Sequence, residues 1–287
     1  MEETTRTADD LLARATAPAN DPCTMPRTLI VFAHPDDESI ALGARLRRLQ
    51  SAHLVHVTDG VPHNDKESRA HGFATFLKYR EAKWAELKHA LSVGGVSGMS
   101  RECFEAPYQE ASYRLSQLTR WLVRLMQVRE FEVVFTHPYE GGHPDHDACA
   151  FAVRHAVAFL EGRKSPAPLI VEGAFYHANP YHPEMSAGSF LPPPHIVPET
   201  AYPLSAEEQR RKQAVLACFA TQQESLRRFP LAFERFRIAP EYEFRVPPHP
   251  GPVFYDRHSW GISSQSFCEL AWEADSALHE ELETACL

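Results

Sequence analysis

Short apolar runs that alternate with stretches of helical periodicity constrain this chain more than any other feature. Residues 28–33 (TLIVFA) lack the polar alternation of a half-exposed strand, as expected of a strand buried on both faces. Leu42, Leu46 and Leu49 follow at helical spacing, and residues 53–57 (HLVHV) read as the next strand. A polar loop over 58–68 leads to an amphipathic helix marked by Leu77, Trp84, Leu87 and Leu91, which Gly94 and Gly95 stop. Residues 101–105 form a short strand, and Leu115, Leu118, Leu122 and Leu125 form the buried stripe of another helix. A strand over 132–135, a helix over 145–160 and a strand over 169–176 complete the series. Strand and helix in alternation predict a Rossmann-like, three-layer α/β fold with a mostly parallel sheet. In such sheets ligands bind beyond the C-terminal ends of the strands.

The flanks read differently. Residues 1–26 are polar and alanine-rich, an N-terminal arm or short helix, and 27–180 form the core. Residues 181–287 are expected to complete the same domain as an irregular extension that shapes the pocket. Prolines at 180, 183, 192, 193, 194, 198 and 203 mark an irregular excursion, and Ser205 with Glu208 is a capping-box signature for a helix running to about Arg228. The remainder, with prolines at 247, 248, 250 and 252, resists assignment.

Composition narrows the partners. A net charge of −9 without a basic run disfavours nucleic acid, whose phosphates need a concentrated basic face. No run approaches 18 apolar residues, so no membrane span is expected, and the acidic start lacks the apolar core of a secretory signal. The six scattered cysteines, none in C-x-x-C spacing, suit reduced thiols and a cytoplasmic location.

Two stations carry the chemistry. His34-Pro35-Asp36-Asp37-Glu38 directly follows the first strand, and His143-Pro144-Asp145-His146 follows the strand at 132–135 through a loop ending in Gly141-Gly142. Both repeat one order: strand, His-Pro-Asp, helix. His34 and Asp37, three apart, point the same way from a helical turn, and Asp36 projects beside them. If the two strands are neighbours, both stations open into one crevice. His34, Asp37 and His146 then make an open donor set suited to Zn²⁺, with another divalent ion such as Fe²⁺ as the alternative. Zinc acidifies a water that it holds, and Asp36 is the carboxylate placed to take its proton. His143 is placed to stabilise an oxyanion, and Asp145 to orient His143. The competing reading, acidic residues that merely complement a helix dipole, explains one station but not two at strand ends.

These residues resemble the signature of the LmbE-like, or PIG-L, family of metal-dependent N-deacetylases, which carries A-H-P-D-D-E after the first strand and H-P-D-H late in the core. Both stand intact here, as Ala33 to Glu38 and His143 to His146. The resemblance implies zinc on His34, Asp37 and His146, Asp36 as general base, and His143 steadying the tetrahedral intermediate. It implies as substrate a small conjugate of N-acetylglucosamine. Arg80 resembles an arginine that contacts substrate in relatives, and residues 57–60 and 212–222 resemble further family segments. One departure stands out: where some relatives place a tyrosine two residues before the first histidine of H-P-D-H, this chain has Gly141, with Tyr139 two residues earlier.

Other histidines read as structural. His53 and His56 lie in a strand, and His155 faces away from His146 along one helix, whereas His177 is placed to line the crevice. Two rivals stand beside the hydrolase: a non-catalytic sugar-binding α/β module, and a non-haem iron oxygenase using His34, Asp36 and a distant histidine. The helix–strand alternation opposes the second, and the absence of a glycine-rich loop after the first strand excludes a dinucleotide fold there.

Overall fold

The computed structural model describes residues 2–179, 184–191 and 198–284. Prolines 180, 183, 192, 193 and 194 of the predicted excursion lie outside them. The strands are β1 (Thr28–Phe32), β2 (His53–Thr58), β3 (Ser100–Ala106), β4 (Val133–Thr136), β5 (Leu169–Gly173), β6 (Tyr176–Ala178), β7 (Met185–Ala187), β8 (Glu199–Pro203) and β9 (Phe233–Ile238). The helices are α1 (Glu2–Ala15), α2 (Asp37–Leu42), α3 (Asp65–Ala70), α4 (Phe76–Val93), α5 (Leu115–Arg129), α6 (Pro144–Gly162), α7 (Ala206–Leu216), α8 (Gln223–Leu226) and α9 (Ser264–Thr284).

Seven strands form one sheet in the order β3-β2-β1-β4-β5-β9-β8, with β3 through β5 parallel and β9 and β8 antiparallel. The uninterrupted apolar runs are explained by burial on both faces. Leu29, Val31, Val55, Val57 and Val134 pack into one layer with α5, α6 and α9, and Ile30, Phe32, Leu54, Val133 and Phe135 pack into the other with α2, α4 and α7. The chain order turns back between β1 and β4, so this is the switch point at which such sheets bind ligands.

Several boundaries differ from expectation. The helix after β1 ends at Leu42, and Leu46 lies in a separate 3₁₀ turn. The polar loop after β2 contains α3, capped by Asn64. The predicted strand over 169–176 breaks after Gly173, because Ala174 N–H turns to the Arg235 carbonyl and β6 joins β7 in a small second sheet. The helix predicted from Ser205 has its capping box but ends at Leu216, followed by short turns.

The region that resisted assignment supplies β9 and α9. Strand β9 hides its signal behind charge, since Glu234 and Arg237 are buried. Glu234 takes hydrogen bonds from Ala44 N–H (2.8 Å) and Lys212 Nζ (3.1 Å) and pairs with Arg45. Arg237 Nε donates to Glu172 at 2.7 Å and its Nη2 reaches Glu140 at 3.1 Å. Ion pairs of this kind fix register more than they add stability. Among the described residues, no helix is long and apolar enough to cross a membrane.

Candidate metal centre and catalytic pocket

Because β1 and β4 pair directly, with Ile30 opposite Phe135, both His-Pro-Asp stations emerge side by side. The chain after β1 turns abruptly: Asp36 has φ 145°, a conformation that costs a side-chain-bearing residue of order 1–3 kcal/mol. Glu38 holds that turn, accepting from Asp36 N–H (3.3 Å) and from His56 Nε2 (3.0 Å). Strand β2 thus supports the first station through a buried histidine.

Asp37 Oδ2 is the hub of the site. It lies 3.4 Å from His34 Nδ1, 3.7 Å from His146 Nε2 and 3.2 Å from His137 Nε2, and it accepts from His34 N–H at 2.8 Å. Burial alone would neutralise Asp37, but His146 and His137 beside it hold its carboxyl well below the usual carboxylate range. Burial likewise opposes charge on His34, yet hydrogen bonds to Asp145 and Asp37 push its pKa up to about 9. Burial and the neighbouring His137 keep His146 neutral, with its pKa well below the ordinary value.

His137, at the end of β4, was not singled out from the sequence. It stacks on His146 with ring centroids 3.8 Å apart and an interplanar angle of 8°. The only prior signal was its place at a strand end, which its lack of a His-Pro-Asp frame obscured. Among the described residues, two triples of side chains lie close enough to hold a metal ion: His34, His143 and His146, and Asp37, His137 and His146.

The ring nitrogens distinguish these donors. His137 Nε2 accepts Ala33 N–H at 3.0 Å, so its lone pair on the site's side is engaged. His143 Nδ1 accepts Asp145 N–H at 3.1 Å, leaving a buried, unpartnered Nε2 that carries the proton in the neutral ring. Burial first, and then the positive charge of His34, lower the His143 pKa to about 3, so the ring is neutral. His34 Nε2–H donates to Asp145 at 3.1 Å, which frees Nδ1 toward Asp37.

This corrects the expected role of Asp145. Its carboxylate binds His34, Gln109 N–H (2.8 Å) and Ala111 N–H (3.0 Å), and His143 is held by the backbone of Asp145, not by its side chain. Arg80 is likewise engaged elsewhere: its Nε pairs with Asp59 at 3.2 Å and its Nη2 with Glu105. One turn on, the buried Lys83 faces the pocket instead, with Nζ 4.0 Å from Asp36 and 3.2 Å from the Gly60 carbonyl oxygen that accepts from it. Burial, and then the Asp37 charge, push Asp36 up to about 7 against the opposing pull of Lys83.

Tyr139 does not stand in for the tyrosine absent at Gly141. Its hydroxyl donates to the Val246 carbonyl at 2.9 Å and its ring packs against Phe244 and Phe267. Gly141 has φ 67°, and a Cβ there would meet Val253 at 2.5 Å, so no side chain fits. Tyr108 and Tyr176 supply the phenols of the pocket, and Tyr108 sits 5.1 Å from the His34 ring and 5.2 Å from that of His143. The remaining histidines are structural. His53 binds Ser100 (2.9 Å), His155 binds Asp275 (3.2 Å), and His177 turns to the Ala178 carbonyl, outside the pocket lining.

The cavity over Asp37 has a volume of about 430 Å³. Its floor comes from the two stations, and its walls include Gln222, Phe229 and Trp260 of the C-terminal region.

Residues 29–157 match the PIG-L family, described as GlcNAc-PI de-N-acetylase. A probable N-acetyl-α-D-glucosaminyl L-malate deacetylase 2 of Bacillus cereus is 24% identical over 143 residues, covering 48% of this chain and 64% of that relative. The chain therefore aligns with somewhat under two thirds of that relative's length. Among solved structures, a deacetylase from the biosynthesis pathway of teicoplanin superposes with a TM-score of 0.54 at 14% identity, over 74% of this chain and 96% of that one. An N,N'-diacetylchitobiose deacetylase from Pyrococcus horikoshii gives 0.53 at 17% identity, over 82% and 92%. At these identities the structural matches speak for the fold.

Proposed function

Since the chain belongs to the PIG-L, or LmbE-like, family, we propose that it is a metal-dependent hydrolase that removes the acyl group, acetyl in the first instance, from an N-acylglucosamine conjugate. The observation that carries this reading is the convergence of His34, Asp37 and His146 beside Asp36 and an unpartnered His143 Nε2 in one cavity.

The donor chemistry fits a divalent ion. With His137 and His143 engaged by backbone N–H groups, His34 Nδ1, the Asp37 carboxylate and His146 are the donors left facing one another. Two carboxylates already draw positive charge onto His34, a charge that a bound cation would supply instead. Bound by these three, zinc or a similar ion would acidify a water and polarise the amide carbonyl.

The chain's own groups do the rest. Asp36 takes the proton of the attacking water and returns it to the departing amine. His143 donates from Nε2–H to the amide oxygen as it gains negative charge, and its neutrality makes it a donor that needs no prior proton uptake. Asp145 fixes the tautomer of His34, and Lys83 holds positive charge beside Asp36.

Acetate release from a panel of N-acetylglucosamine conjugates, before and after chelation and with zinc added back, tests the proposal. Release that chelation abolishes and zinc restores is expected. Release indifferent to chelation would remove the metal from the mechanism, and silence across the panel with metal bound would remove the deacetylase reading.

A further inference from the structure

A second cavity, of about 640 Å³, opens beside the first. The two share Pro62, Glu67, Tyr108, Gln109 and Trp260 as a common wall, so they are two chambers of one groove. The catalytic chamber is at the small end of the roughly 300–1,000 Å³ usual for ligand pockets, enough for one acylated sugar ring and little else. Whatever that ring is attached to must leave the chamber. The neighbouring one offers it a built surface.

The chemistry of that surface is specific. Trp260 and Tyr108 present aromatic rings at the junction, and Trp260 is braced there by stacking on His258 (4.8 Å, 14°) and by its contact with His143 (4.9 Å). Beyond them, Glu110, Arg114 and Gln117 line the far wall, and none of their side chains makes an internal hydrogen bond or ion pair among the described residues. The opposing signs of Glu67, Glu110 and Arg114 leave no net positive field for a phosphate. The wall has no continuous apolar strip for an acyl chain. Aromatic faces combined with unsatisfied planar donors and acceptors suit a ring that is apolar on its C–H face and hydroxylated at its edge.

We propose that the second chamber binds an uncharged, polyhydroxylated ring, a second sugar, joined to the acylated one, and that Trp260, Arg114 and Gln117 set this specificity. The inference rests on the deacetylase reading for its turnover test but not for its binding test.

Three probes decide it: N-acetylglucosamine, N,N'-diacetylchitobiose and the octyl glycoside of N-acetylglucosamine. Acetate release should give a kcat/KM at least tenfold higher for the disaccharide than for the monosaccharide, with no such gain for the octyl glycoside. Gln117→Ala and Arg114→Ala should bring the disaccharide-to-monosaccharide ratio toward one. Equal kcat/KM for the first two probes, or preference for the octyl glycoside, would overturn the proposal. Calorimetric titration with the same probes runs in parallel. Disaccharide binding that Gln117→Ala weakens, without any acetate release, would uphold the subsite and sink the deacetylase reading. Absence of disaccharide binding to metal-replete protein would sink the subsite whether or not acetate is released.

Discussion

The parallel half of the sheet, β1 to β5, and the antiparallel return, β8 and β9 with the segments around them, divide the labour of the molecule. Every donor near Asp37 comes from the ends of β1 and β4, where backbone N–H groups set the histidine tautomers. The return contributes walls and braces. Arg237 of β9 ties Glu172 of β5 to Glu140, and Glu140 also accepts from Leu191 N–H at 2.8 Å. Phe254 N–H donates to the Gly141 carbonyl at 2.9 Å, and Tyr255 Oη donates to Asp147 at 3.2 Å. Local backbone geometry thus makes the reactive groups, and long-range pairing makes the space around them.

That division can be broken by experiment. The largest effect is expected at Asp36. Asp36→Ala should retain the metal and lose about 10²–10⁴ in kcat, whereas His146→Ala should lose metal occupancy along with turnover. Metal analysis with steady-state rates separates the two, and full activity in both variants would refute the site.

Next is Arg237→Met, which leaves Glu172 and Glu140 buried without their cation. It should cost about 3–5 kcal/mol in urea unfolding, with metal affinity retained in the folded fraction. Loss of metal affinity at unchanged stability would show that the return shapes the donors after all. Gly142→Ala should cost about 1–3 kcal/mol by overpacking, since its Cβ would fall 2.1 Å from the Tyr176 carbonyl oxygen. A neutral result in the same assay would mean that the loop between the two halves can shift.

The smallest effect is at α9. Burial opposes ionisation of Asp275, but Arg245 at 2.6 Å, together with His155 and His279, lowers its pKa below the ordinary value. A carboxyl depressed in the folded state adds stability above its unfolded pKa of about 3.9 and loses it as pH falls through the folded value. Asp275→Asn should therefore cost about 0.5 kcal/mol at pH 7, as partly exposed pairs do, and the gap from the wild type should close in acid. A gap independent of pH would point to packing instead of charge.

The sequence made the first half legible and the second half opaque for one physical reason. Apolar runs such as 28–33 and the His-Pro-Asp stations are contiguous, so composition and spacing reveal them. The charges of β9 make sense only with Arg45, Lys212, Glu140 and Glu172, which lie far away in the chain. Helix α9 was readable in principle, since Phe267, Ala271, Ala274 and Leu278 recur at helical spacing and are buried. The proline cluster before it drew attention away. His137 and Lys83 escaped because a single histidine or lysine carries no pattern until a neighbour is placed beside it. Arg80 and Asp145 stood at informative positions, but their partners assign them differently.

The backbone at Asp36 carries a longer consequence. A glycine would sit at φ 145° without strain, so the fold by itself would be served better by a residue with no side chain. Keeping an aspartate there trades conformational comfort for a fixed carboxylate. Variants screened for thermal tolerance alone should drift away from aspartate at this position, and those that do should be sturdier and inert.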